Sequence, residues 1–378
     1  MLDTVPNLPD VPQLRLLRDI IPPGKGRLGE GDEGKRAYLE RVKAGQDSGM
    51  KSMLRLINKH PGATFCVVGG GPTLQDEVFA LRKLAERGAI LIGVNKSHDW
   101  LLKRGLPCHY AVLLDPKEWV ADYIDLDLAR AKSTRKKAGK LWVEPTYLIA
   151  SQCHQRTVDK FLPLDNAYMW HAAAGLGEKE LMHTEYAGKD WVLVPGASVV
   201  GLRAVFIAHG LGASNIHLFG IDGSSKLPTE AEALKIWQAL MPDVPPIPYG
   251  ATLEFLFKLM EKNKKFPEEI SVIFKKHHYA YGKPHVDPTW KAFRVKLSSG
   301  WERPFMANHH MARASYEFEM AMKDWDHLVQ AGKMRPFLVK VHGSPEVSAI
   351  GMVAAGMGCH AVQAENDKYG KPPEAKAA

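Results

Sequence analysis

The chain has 378 residues, 45% of them hydrophobic and 24% charged, which is ordinary for a soluble globular protein and enough for one large core or two smaller ones. Its net charge of +8 favours anionic partners without choosing among nucleotides, nucleic acid and anionic surfaces. The four cysteines, Cys66, Cys108, Cys153 and Cys359, form no C-x-x-C pair, and no apolar run approaches the roughly 20 residues that span a bilayer, so a disulfide framework and a membrane span are not expected.

The first stretch, "MLDTVPNLPDVPQLRLLRD", carries prolines and acids where a signal peptide needs a basic start and an apolar core. A reducing cytoplasm is the expected compartment. Residues 1–61 read as an arm and helices, with a break near "GQDSG" and an end at Gly62. A regular alternation follows. "TFCVVG" reads as a buried strand, and "LQDEVFALRKLAERG" as a helix with Leu74, Val78, Leu81 and Leu84 on one face. "AILIGVN" is a second strand, "SHDWLLKRG" a short helix opened by Ser97, and "HYAVLLDP" a third strand ending at Asp115. "LARAKSTRKKAGK" is a basic helix or loop, for which a solvated face is the commoner reading than a phosphate patch. "KLWVEP" and "NAYMWHA" are further strand candidates. "DWVLVPGASVVGLRAVFIAHGLGASNIHLFGIDGS" then repeats strand, small-residue turn, apolar helix, strand and acid. Its helix, from about Ser198 to His209, is apolar on almost every side, as a helix buried inside a domain must be.

Strands joined by short helices imply right-handed crossovers and a parallel sheet. The expected fold is α/β: a Rossmann-like, mostly parallel sheet with helices on both faces, an N-terminal helical arm and an irregular C-terminal lid. The sheet core spans residues 62–225. Residues 226–305, with clustered prolines and histidines, read as an insertion or lid. Residues 306–365 hold a long helix and a closing strand, and 366–378 a disordered tail.

The stretch "FCVVGGGPTL" is the most informative. Consecutive glycines at a strand end let a backbone approach a ligand closely, and a helix that follows aims its free N–H groups at the turn. Thr73 reads as the cap of that helix, with Asp76 three residues on. The P-loop signature is absent, and Leu74 stands where G-x-G-x-x-G needs its third glycine. A tight turn without a ligand is the alternative. Ligands of open parallel sheets sit beyond the carboxyl ends of the strands. There stand Asn95, able to read a base or sugar through its amide, and Asp115 and Asp222, able to hold a magnesium ion or position a hydroxyl. Gly196, Ala197 and Ser198 open the buried helix. Either acid alone is more often a cap or loop residue.

The blocks "VVGGGPTL", "LIGVNKSHDWLLKRGLPCHYAVLLDP" and "PGASVVGLRAVFIAHGLGASNIHLFGIDGS" resemble the MptE-like family, whose namesake is the 6-hydroxymethyl-7,8-dihydropterin pyrophosphokinase and which includes flagellin-glycosylation accessory and phage-encoded proteins. They are similar, more distantly, to bacterial sialyltransferases that use CMP-sialic acid. The resemblance covers roughly Ala63 to Ser224. It implies that Gly69, Gly70, Gly71, Pro72 and Thr73 cradle nucleotide phosphates and that Asn95 contacts base or ribose. It further implies that Asp115 faces the cleft, that Gly196, Ala197 and Ser198 form a second wall, and that Asp222 stands at the ligand-facing end of its strand. "GSSKLPTEAE" after Asp222 departs from the family's tyrosine- or histidine-bearing continuation.

His277, His278, His285, His309 and His310 match no zinc signature. His278 and His285 are the candidates for a general base in a lid. Trp301 to Phe305 read as core aromatics or a base-stacking face. Three functions compete: a nucleotide-dependent transferase that passes a (pyro)phosphoryl group from ATP with Mg²⁺ to a hydroxymethyl acceptor; a metal-independent glycosyltransferase using a CMP-sugar; and a non-catalytic scaffold, for instance in phage assembly. Basic residues are spread along the chain, so nucleic acid is not an expected partner.

Overall fold

The computed structural model describes residues 31–197, 199–261, 266–277, 280, 290–296, 300, 302–357 and 362–364. Helix α1 (Gly31–Asp47) and a 3-10 turn (Met53–Leu56) precede β1 (Thr64–Val68). The chain then alternates through α2 (Val78–Glu86), β2 (Ile90–Val94), α3 (Ser97–Lys103), β3 (Tyr110–Leu113), α4 (Leu126–Arg130) and α5 (Lys132–Ala138). It continues with β4 (Thr146–Ala150), α6 (Gln155–Phe161), β5 (Ala167–Ala172), α7 (Glu178–Glu185), β6 (Leu193–Val194), α8 (Val200–Leu211) and β7 (Asn215–Phe219). Three helices follow, α9 (Glu230–Leu240), α10 (Tyr249–Glu261) and α11 (Glu268–Lys276), and then a hairpin of β8 (Trp290–Lys296) and β9 (Glu302–Asn308). The chain closes with α12 (His309–Gln330), β10 (Leu338–Val341), α13 (Ala349–Gly356) and β11 (Val362–Ala364).

Strands buried on both faces need near-continuous apolar runs, and Phe65 to Val68, Leu91, Ile92 and Ala111 to Leu113 are fully or almost fully buried. They form the middle of a nine-stranded sheet of order β11-β10-β7-β1-β2-β3-β4-β5-β6, every ladder of which is parallel. Phe65 pairs with Ile90 on one side and Ile216 on the other. The chain steps outward from β1 to β6, then returns to place β7 on the other flank of β1. That reversal makes the carboxyl edge between β1 and β7 the topological switch point. Helix α8 is apolar except for Arg203 and His209, packs beneath β1 and β2, and ends on Gly212 in the left-handed region.

Some local readings change. "KLWVEP" is a 3-10 turn (Gly139–Leu141) and coil; the strand is Thr146–Ala150, immediately after it. Pro145 ends the extended approach, and the β-branched and aromatic residues that suit a strand come later. The helix read from Leu74 is two pieces, a 3-10 turn at Pro72–Gln75 and α2. The insertion holds three helices and a hairpin around its own small core of Ile236, Leu256, Met260, Phe274 and Met306. It is stitched to the sheet by Ser225 N–H to Met306 O (2.7 Å) and Lys226 N–H to His277 O (3.0 Å). β10 joins the sheet beside β7, as a closing strand.

Candidate functional site

The glycine turn is built to let two backbones touch. Gly69 N–H donates to Phe219 O (2.8 Å) and Gly71 N–H to Gly220 O (2.7 Å), continuing the β1–β7 contact past the strand ends. A Cβ at Gly69 would stand 2.3 Å from Ile221 Cδ1, and one at Gly71 would stand 2.3 Å from Asp222 Oδ2. The inner faces of these two glycines are therefore filled by the protein's own β7 loop. Gly70 differs: it is half-buried, and its N–H makes no hydrogen bond among the described residues. Its carbonyl accepts from Ala280 N–H of the insertion (2.8 Å), and the Gln75 side-chain amide donates to Ala280 O.

Thr73 does not cap a helix. Its N–H (3.0 Å) and hydroxyl (2.7 Å) both donate to the Asp222 carboxylate, and Asp76 pairs with Lys226. The N-cap of the 3-10 turn is Gly71, which has no side chain to offer. Desolvation dominates at Asp222, which is 2% exposed, and pushes its pKa up to about 6 against the pull of the Thr73 bonds, Ser348 and Lys226. Asp222 clamps the turn from below.

Asp115 is placed differently. It stands past the end of β3, half-buried, and its pKa is raised by desolvation, partly offset by a hydrogen bond from the Asn95 amide and by the charge of Lys117. Asn95, at the end of β2, turns the chain with φ 52°, a left-handed conformation that asparagine tolerates better than most residues. Its Oδ1 is buried with no partner among the described residues. β3 and β7 are three strands apart, so Asp115 and Asp222 lie roughly 14 Å from each other at ordinary strand spacing. The structure does not bring these two acids to one ion.

Ala197 is buried and Gly196 half-buried, with φ 127°, at the entry to α8. Val199, the N-cap of α8, makes no side-chain cap bond. Ile221 stands between Gly69 and Gly201 of α8, so the glycine turn and the start of α8 flank one residue. Ser198, His278, His285 and Trp301 lie outside the described residues. His277 binds Glu232 (2.6 Å), which is also the N3 partner in the capping box of Thr229. Phe305 is core, stacked on Phe293. Among the described residues no group of three or more His, Cys, Asp or Glu could hold a metal ion.

Sequence reasoning missed the groups around Asp115. The Tyr123 phenol feels the Asp115 charge and carries Lys96 Nζ 5.0 Å from its ring centroid. Lys117 Nζ lies 5.8 Å from the centroid of the Trp119 ring. Gln152, after β4, is buried. The signal for Gln152 was hidden with the strand that carries it.

No curated protein matches the chain. Among solved structures, the MAf glycosyltransferase from Magnetospirillum magneticum AMB-1 is similar, at 17% identity and a TM-score of 0.37. The match covers 50% of this chain and only 28% of that one. The profile of the family described as 6-hydroxymethylpterin diphosphokinase MptE-like matches residues 36–226, from α1 through the whole β1–β7 unit to the residue after Ser225. With half the chain matched, and with the glycine turn, Asn95, Asp115 and Asp222 all inside the matched stretch, the chain belongs to the MptE-like family.

Proposed function

We propose that the chain is a nucleotide-dependent transferase of the MptE-like type, passing a (pyro)phosphoryl group from ATP to a hydroxymethyl acceptor. The observation that carries this reading is the row of polar groups along consecutive strand ends: Gly70 N–H after β1, without a partner among the described residues, the Asn95 side-chain amide after β2, and the half-buried, desolvated Asp115 after β3, to which that amide donates. Phosphates would lie between Gly70 N–H and the first turn of α8, whose N–H groups have no side-chain cap and whose dipole favours an anion. Gly196 and Ala197 would border them, and Lys96 and Lys117 would offset their charge. Magnesium, when bound, would be held by Asp115 with the nucleotide's own oxygens and would neutralise the phosphates. Asp222 serves there as a positioning residue for the turn. Catalysis of this kind rests on placement and charge neutralisation.

A second reading, a glycosyltransferase using a CMP-sugar, is favoured by the lone placement of Asp115. One half-buried carboxylate held above its ordinary pKa suits a general base for a sugar hydroxyl, and needs no metal. A degenerate scaffold is favoured only by the filled inner faces of Gly69 and Gly71. No described helix is long and apolar enough to cross a membrane.

Thermal stabilisation by ATP, GTP, CTP, CMP and CMP-sialic acid, each with and without Mg²⁺, tests these readings. A ligand bound only by the folded state adds about 2.7 kcal/mol at a hundredfold excess over Kd. A magnesium-dependent shift with ATP supports the first reading, and a metal-independent shift with cytidine nucleotides the second. No shift with any ligand leaves the scaffold.

A further inference from the structure

Chain order scatters the basic residues, and the fold gathers many of them. Residues 82–87, 103–104 and 130–140 together hold eleven lysines and arginines and one acid, Glu86. That is a balance of +10 in 19 residues, so the other 359 carry −2 of the net +8. The three stretches are the ends of neighbouring helices. The Arg82 guanidinium of α2 donates to Arg104 O, just past α3 (2.7 Å), and the Lys137 ammonium of α5 donates to Lys103 O, the last residue of α3. A Cβ at Gly105 would stand 2.7 Å from Lys137 O, so the ends of α3 and α5 touch. Helices α2 and α3 lead into β2 and β3, and α5 leads through a 3-10 turn towards β4, which places all three ends at the amino edge of the sheet. The glycine turn, Asn95 and Asp115 stand at the opposite edge, about 15 Å away along a strand such as β2.

Cations at helix C-termini offset the helix dipole, and Arg82 and Lys137 do so by direct bonds to α3. The other nine exceed that need. None of the eleven forms an ion pair among the described residues. Lys83, Lys103, Lys132, Lys136 and Lys140 are exposed. Arg104 lies over the Trp100 ring (4.1 Å) and Arg135 over the Trp142 ring (5.4 Å), which holds each guanidinium in place. Crowded like charges repel one another, and a polyanion relieves that repulsion.

We propose that this edge binds the phosphate backbone of a nucleic acid without reading its bases. Packed helices stand about 8–10 Å apart, so three helix ends span roughly 20 Å, a length of duplex that carries on the order of ten phosphates. Backbone binding of this kind needs only cations and N–H donors. A bilayer surface would call for an apolar wedge and an acidic protein for apolar anchors. The three stretches expose no large apolar side chain, and Phe79, one turn before Lys83, lies beneath that ammonium (4.3 Å). The surface is separate from the candidate nucleotide site and does not depend on it.

The test is fluorescence anisotropy of labelled DNA and RNA duplexes of about 20 base pairs with the full chain, between about 50 and 200 mM salt. Binding of either duplex is expected at the lower salt, with a log–log salt slope of about −5, as for five or six phosphates neutralised. Lys132→Gln, Lys136→Gln and Lys140→Gln together should weaken binding by about tenfold or more and make the slope shallower by about 3. Lys235→Gln, Lys258→Gln and Lys333→Gln remove the same charge from exposed positions elsewhere and should keep the slope. Both triple variants should melt with the wild type; if the first does not, Lys136→Gln alone, expected to make the slope shallower by about 1, carries the test. No binding of either duplex at the lower salt overturns the proposal. So does an equal loss in both triple variants, and so does tighter binding to phosphatidylserine vesicles or to polyglutamate than to the duplexes.

Discussion

Thr73 gives both of its donors, N–H and hydroxyl, to the single carboxylate of Asp222, at 3.0 and 2.7 Å. The bond ties the loop after β1 to the loop after β7, and β10 presses from beyond: a Cβ at Gly343 would stand 2.8 Å from the Thr73 hydroxyl. Thr73→Val removes one donor and strands a buried carboxylate oxygen, which should cost about 1–3 kcal/mol. Thr73→Ser should cost less than half as much. Urea denaturation of the three proteins measures the difference, and equal midpoints for valine and serine would sink the clamp.

Asp222 also sets a pH dependence. Its folded pKa of about 6 lies above its ordinary 3.8, so between those values the folded state holds more proton than the unfolded one. Stability contributed by this group is therefore full below pH 4, falls as pH rises through 6, and is flat above. The fall is about 3 kcal/mol by linkage. Asp222→Asn should lose that slope, seen as a stability difference from wild type that changes between pH 4 and 6 and nowhere else.

Glu232 slopes the other way. Burial raises its pKa, but Lys276, the Thr229 N–H and hydroxyl, and His277 together bring it down to about 2, below the ordinary 4.5. Its contribution is present above pH 4.5 and is lost as pH falls towards 2. Glu232→Ala breaks the capping box at the start of α9 and should cost about 1 kcal/mol at neutral pH. Hydrogen exchange should show that loss in α9 and α11 before it appears in the sheet.

Glycine substitutions separate contact from conformation. Gly71→Ala would drive a methyl to 2.3 Å from Asp222 Oδ2 and 2.8 Å from Gly220 O, and should destabilise by about 3 kcal/mol or more. Gly250→Ala, inside α10 and facing open space, should stabilise by about 0.5–1 kcal/mol. A Gly71→Ala protein as stable as the wild type would contradict the close approach of the two loops.

Asp115→Asn distinguishes a working carboxylate from a structural one. Desolvation opposes its charge, so the variant should be at least as stable as the wild type. Transfer activity should fall by about 10²–10⁴ if Asp115 takes a proton from the acceptor. In that case the acid limb of the wild-type rate profile should lie above the usual carboxylate range, as the raised pKa requires. Unchanged turnover would remove Asp115 from the chemistry.

The sheet was legible because its strands are apolar runs with a residue of changed character at each end: Gly69, Asn95, Asp115 and Asp222. Their order along the sheet, with β7 beside β1, follows from the return after β6, which no local pattern announces. Thr73 was misread because capping spacing looks the same whether the hydroxyl turns to its own helix or to an acid 149 residues on. Gln152 was invisible because no element is read between "KLWVEP" and "NAYMWHA", where the strand Thr146–Ala150 stands, and a glutamine in a loop carries no signal of burial.

One consequence of the sheet order concerns synthesis. β7 needs β10 as a neighbour, yet the three insertion helices, the hairpin and α12 are made between them. At ribosomal rates of roughly 5–20 residues per second, the outer edge of β7 stays bare for on the order of ten seconds after β1 has paired with its inner edge. Ile216 and Leu218 then belong to a temporary edge strand, open to any other nascent chain. A chain that stops before residue 338 lacks the strand that covers this edge, and should aggregate more readily than the full chain when the two are expressed side by side.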